Sequence, residues 1–194
     1  MTPIARNEIL PIGEYEAIRP HFRARVIEEK RLRRATLSPI MTVMFENRDT
    51  VLMQIQEMLR TERITSEDGI AHELETYNEL LPQHGQLSMT LFIEIADKAA
   101  REQKLVDLAG LEEKVALEIA GVRVPGTAAD RSVEGIARTT AIHYFKFDLP
   151  EATRAKLASG EAGVAIVCEH PAEKARVDLP TATVKSLARD AAAP

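Results

Sequence analysis

Tryptophan is absent from this chain, cysteine occurs once, and there are only five phenylalanines and three tyrosines in 194 residues. The lone Cys168 excludes an internal disulfide framework and any multi-cysteine zinc or iron–sulfur centre built from one chain. So few aromatics argue against the stacking platforms that hold single-stranded nucleic acid. No apolar run approaches the roughly 18 residues of a membrane span. The opening MTPIARNEILPIGEYEAIR has neither the basic start nor the apolar core of a signal peptide. The expected localisation is therefore cytoplasmic, with no membrane contact.

Local signatures of catalysis are missing as well. Neither G-x-G-x-x-G nor G-x-x-x-x-G-K-[ST] occurs, so no phosphate-cradling loop is expected, and there is no G-x-S-x-G elbow. The stretch AHELET begins like a zincin helix at His72, but the second histidine needed one turn on is Thr76. His72 is read as a solvated surface residue. None of the five histidines has a glutamate three residues before it, which excludes the Glu-x-x-His pair of di-iron bundles. No cofactor is expected, and no local pattern supports a metal.

What is present reads as an ordinary globular chain, with 45% hydrophobic and 28% charged residues. One domain over 1–194 is expected, helix-rich to about residue 120 and strand-rich from about 121. Helical spacing and caps predict helices near 14–34, 48–64 and 65–81, followed by a polar helix over 97–119 with a break at Gly110. Alternation predicts strands at 40–46 and 87–95. Short strands lie in GVRVPGTA, RTTAIHYFKFDL, GVAIVCEH and ARVDL, with short helices at 150–158 and 181–191. Strands joined by turns, with helices grouped early, favour an α+β fold. Its sheet would be mixed or mainly antiparallel, with the helices on one face.

A net charge of -5 gives no general attraction to nucleic acid, and nucleic acid is not expected as a partner. One segment departs from that average. RPHFRARVIEEKRLRR (19–34) holds six arginines and one lysine against two glutamates. Arg19, Arg23, Lys30 and Arg34 fall on one stripe of the first helix. On the second helix, Arg48, Glu62 and Arg63 fall on or beside the core line of Leu52, Ile55 and Leu59, and Arg60 lies near. Charge on a core line is costly unless paired, so Glu62 is expected to meet Arg19 or Arg23. Two readings follow: a structural ion-pair network, or a convergent cluster that binds a small anion or a partner.

Two further positions could carry chemistry. Cys168 and His170 share a strand face and could touch as a thiol and its base, or Cys168 could be a small apolar core residue. His143 shares an apolar face with Ala141, Phe145 and Phe147, and must find a hydrogen-bond partner there. It is the single best candidate for a buried acid or base. In that enzyme reading Glu46, Glu62 or Glu94 would supply a nearby carboxylate or a metal ligand.

The runs YEAIRPHFRARVIEEKRLRR, FENRDTVLMQIQEMLRTERI, ELETYNELLP and LFIEI, with AIHYFKF and EHPAEKARVDLP later on, resemble a bacterial family known only as a domain of unknown function. The resemblance spans nearly the whole chain. It implies no activity and no catalytic residues. It does imply a setting, because members tend to be encoded beside rubrerythrin-type proteins and iron–sulfur proteins similar to heterodisulfide reductase subunits. The expectation is a cytosolic accessory protein, homodimeric, that supports redox or oxidative-stress metabolism by binding such a partner or a small anionic ligand. The alternative is a small enzyme with a dispersed site around His143, which the missing motifs disfavour.

Overall fold

The computed structural model describes residues 1–128 and 138–192. Its elements run α1 (Ile12–Arg33), β1 (Arg34–Ser38), β2 (Met41–Glu46), α2 (Arg48–Thr61), α3 (Glu67–Asn78), β3 (Gln86–Ile93) and α4 (Lys98–Asp107). These are followed by β4 (Val115–Ile119), β5 (Val122–Pro125), β6 (Thr127–Ala128), β7 (Ile142–Asp148), α5 (Glu151–Ala158), β8 (Val164–His170), β9 (Glu173–Asp178) and α6 (Thr181–Ala192). The fold is α+β, with two antiparallel sheets: β1-β2-β3-β7-β6 and β5-β4-β8-β9.

Alternation decides which face each side chain takes. In the larger sheet, Val43, Leu91 and His143 form one cross-strand row, and Phe45, Met89 and Phe145 the next. These positions turn toward a core shared with Leu117 of β4, Ile166 of β8, Leu157 of α5 and Leu187 of α6, all of them buried. The opposite face carries the rows Met44, Thr90, Tyr144 and Glu46, Ser88, Lys146. Helices α1 to α3 cover that face, with Val51, Ile55 and Leu59 of α2 packed on Ile70 and Leu74 of α3.

Three expectations change. The single polar helix over 97–119 stops at Asp107; Gly110 takes a left-handed turn (φ 84°), and Val115, Leu117 and Ile119 point into the core of a strand. Their spacing of two was the local clue, masked by the helix-forming Glu112, Glu113 and Lys114 before it. The segment after α1 is itself a strand, β1, which pairs antiparallel with β2 across a turn at Pro39 and Ile40. The expected grouping of helices describes α1 to α3, while α5 packs on β4 of the second sheet and α6 packs on α5, α1 and β3.

Candidate functional site

Glu46 is the last residue of β2, on the helix-covered face, and only 3% exposed. Asn47 caps the helix that follows: its side chain accepts from Thr50 N–H (3.0 Å), and Thr50 Oγ1 accepts from Asn47 N–H (3.0 Å). That reciprocal cap turns Thr50, and Gln54 one turn later, back over Glu46. Thr50 Oγ1 donates to Glu46 Oε2 at 2.6 Å and Gln54 Nε2 donates to the same oxygen at 3.1 Å. Thr90 Oγ1, from the neighbouring strand, donates to Oε1 at 2.6 Å. The carboxylate is solvated by three neutral donors and by no ion pair among the described residues.

It forms part of the lining of a cavity of about 160 Å³ between α1, α2 and the sheet. The other lining residues are Lys30 and Arg34 from α1 and β1, Gln54, Thr90, Tyr144, and the apolar Met44 and Phe92. Burial holds the Lys30 ammonium below its ordinary range; Glu46 opposes that shift, and Arg34 and Arg23 add to it. Lys30 has no carboxylate within salt-bridge distance among the described residues. Arg34, at the rim, is held by Glu94 at 3.0 Å, and Thr42 donates to the same Glu94 at 2.7 Å. Beyond Glu46 in its row, Lys146 donates to Leu81 O at 2.6 Å, and burial brings its amine down to about 8 against the pull of Glu46 and Glu79.

The basic residues singled out in the sequence divide into two sets. Arg19 grips Glu57 with two bonds, 2.6 and 3.0 Å, and Tyr15 O–H donates to the same carboxylate at 2.7 Å. The Arg19 guanidinium, followed by Tyr15 and Arg60, holds the Glu57 carboxyl down to about 2 against burial. Arg60 reaches Glu57 and Glu16, leaving its Nε buried without a hydrogen-bond partner among the described residues. Arg48 forks onto Glu8 at 2.5 and 2.6 Å. The carboxylate that meets Arg19 is thus Glu57 rather than Glu62. Helix α2 ends at Thr61, so the wheel that put Glu62 and Arg63 beside the core does not extend to them, and both are exposed. Lys30 and Arg34 line the cavity, and Arg23, exposed on α1, is close enough to act on Lys30.

His143 lies on the opposite face of the sheet from Glu46, because its row is the core row of Val43 and Leu91. Its Nε2 is 2.9 Å from Thr139 Oγ1, its ring stacks on Phe145, and burial lowers its pKa. The structure does not bring Glu46, Glu62 or Glu94 to it. Nor does Cys168 have a base: its thiol donates to Glu173 O at 3.2 Å, and burial pushes it up. His170 accepts from Ala172 N–H at Nδ1 and donates from Nε2 to Ala109 O, so both ring nitrogens are used by backbone. His72 is exposed. Among the described residues no three His, Cys, Asp or Glu side chains stand close enough to share a metal, and no helix is long and apolar enough to cross a membrane.

Sequence reasoning named Lys30, Arg34 and Glu46 but did not join them. Gln54, Thr90 and Tyr144 were missed. The one usable signal was the pair Thr50 and Gln54, four residues apart on one side of a helix whose Asn47 cap directly follows Glu46.

A family model described as "Protein of unknown function (DUF3501)" matches residues 3–191. Among solved structures, the chain is similar to one described as the crystal structure of a novel protein of unknown function from Burkholderia pseudomallei K96243. The TM-score is 0.91 and the identity 32%, over 97% of this chain and 99% of that one. No curated protein matches.

Proposed function

The chain belongs to this family of proteins of unknown function (DUF3501), and from that premise we propose that it is an accessory protein that binds a small anionic ligand in the cavity above Glu46. The observation that carries this reading is the set of cations there. Lys30 is half-buried and, among the described residues, without a salt bridge, with Arg23 and Arg34 close enough to perturb it. An ammonium withdrawn from water and left without a counter-ion is stabilised by an acid group entering from solvent. Arg19 and Arg60 hold glutamates between α1 and α2, and Arg48 ties α2 to Glu8 ahead of α1. Arg34 at the rim holds Glu94, which leaves Lys30 as the cation of the cavity without a carboxylate among the described residues.

A role beside a rubrerythrin-type or iron–sulfur redox partner, and a homodimer, belong to the same proposal. The redox setting is supported by the family resemblance of the motifs. A protein contact is supported by the outer side of α1, where Ile18 and Leu32 are exposed. The enzyme alternative around His143 gains no support from the geometry, since its ring is occupied by Thr139 and Phe145.

Dye-based thermal shift tests the ligand reading, using phosphate, acetate and propionate against the wild type and Lys30→Gln. A ligand at 100 times its Kd adds about 2.7 kcal/mol, a rise of several degrees for a chain of this size. The wild type should show the rise with at least one anion and Lys30→Gln should lose it. No rise in the wild type, or an equal rise in the variant, overturns the proposal.

A further inference from the structure

The cavity is lined by charges of both signs that are held apart. Lys30 and Glu46 face the same space of about 160 Å³, yet they do not approach within salt-bridge distance of each other. Each is set by its own element: Lys30 by the last turns of α1, Glu46 by the end of β2 and the cap of α2. A carboxylate offers about four acceptor sites. Thr50 and Gln54 fill both on Oε2, and Thr90 fills one on Oε1, so among the described residues one site is left on Oε1.

Resting on the binding reading above, we infer that the ligand is a small zwitterion, an amino acid or close analogue. Its acid group meets Lys30, and its ammonium donates to the open position of Glu46. The phenol of Tyr144 and the amide of Gln54 flank the two charges, while Met44 and Phe92 supply the apolar surface for a short side chain. The volume lies below the roughly 300 Å³ at which drug-sized ligand sites begin, which favours a molecule of a few heavy atoms over a nucleotide. A buried carboxylate also sets what is rejected. A dicarboxylate would place its second charge against Glu46, whose hydrogen-bond donors are neutral.

Isothermal titration with alanine, propionate and malonate isolates the ammonium, because alanine and propionate differ only by that group. Wild-type protein should bind alanine at least about tenfold more tightly than propionate and should bind malonate worst. In Glu46→Gln, which keeps the shape and removes the charge, the alanine preference should fall to about twofold or less while propionate binds as before or better. Propionate binding that equals or exceeds alanine in the wild type sinks the zwitterion and leaves the anion reading standing, provided Lys30→Gln abolishes it. Absence of binding by every one of these acids and by phosphate removes both readings. The wild-type comparison decides the matter even if Glu46→Gln proves unable to fold.

Discussion

Lys146 shows how one residue's surroundings become a measurable property of the whole protein. It sits in the row of Glu46 and Ser88 with its amine on Leu81 O. Burial holds that amine at about 8, against 10.5 for an ordinary lysine. Between those two values the unfolded chain keeps a proton that the folded chain has released, so the Lys146 contribution to stability improves as pH rises through the window. Comparing melting temperatures of the wild type and Lys146→Met from pH 7 to 10 tests this. The difference should move in favour of the wild type above pH 8, and a difference that does not change with pH would refute it. Lys30 is shifted the same way, for the same first reason, the loss of water around its charge.

At the scale of elements, α2 does two tasks through its first two turns. Its cap satisfies backbone donors at the helix start and presents Thr50 and Gln54 to Glu46. Asn47 also donates to Glu29 of α1 at 3.2 Å, linking the two helices beside the cavity. Asn47→Ala should therefore cost about 1–2 kcal/mol by urea denaturation, and Asn47→Ser, which can still cap, should recover part of it. Equal losses for the two variants would mean that the cap is not what stabilises this junction. Strand β3 is the other element that the site depends on. Its hydrophobic side carries Leu87, Met89 and Leu91, while Ser88 and Thr90 face the helices and bring polar groups under the cover of α2.

For the whole molecule, the end of α1 meets α6 through a buried ion pair. Arg33, 1% exposed, forks onto Asp190 of α6, with its Nη2–H bond at 3.0 Å, and holds Glu29 at 2.6 Å. Burial pushes the Asp190 carboxyl up and Arg33 pulls it back. Removing Arg33 strands the Asp190 carboxylate away from water, so Arg33→Met should cost about 3–5 kcal/mol, while Asp190→Ala, which leaves Arg33 on Glu29, should cost less. The double variant Arg33→Met, Asp190→Leu should cost less than the sum of its single changes, read by denaturant unfolding. Strict additivity would show that the two side chains do not act as a pair. We propose that residues 1–194 form one domain, since the core cluster joins Leu91 and Leu108 from the helix-rich part to Phe147 and Leu187 from the strand-rich part.

Sequence alone determined the class of fold and most of its elements, because both depend on short-range periodicity. The alternation in LSMTLFIEI and AIHYFKF, and the caps before α2 and α3, are local facts that survive in the folded chain. It also established that His143 is on an apolar face, from its spacing with Phe145 and Phe147. Tertiary structure decided which basic residues are paired, because Glu57, Glu8 and Glu94 reach Arg19, Arg48 and Arg34 across 38, 40 and 60 residues. A helical wheel carries no information about a partner on another element. The same holds for the cavity: Lys30, Gln54, Thr90 and Tyr144 are neighbours only because strand register lines up Met44, Thr90 and Tyr144 beneath two helices. Register is set by the packing of both faces at once, and that is a property of the folded chain rather than of any segment of it.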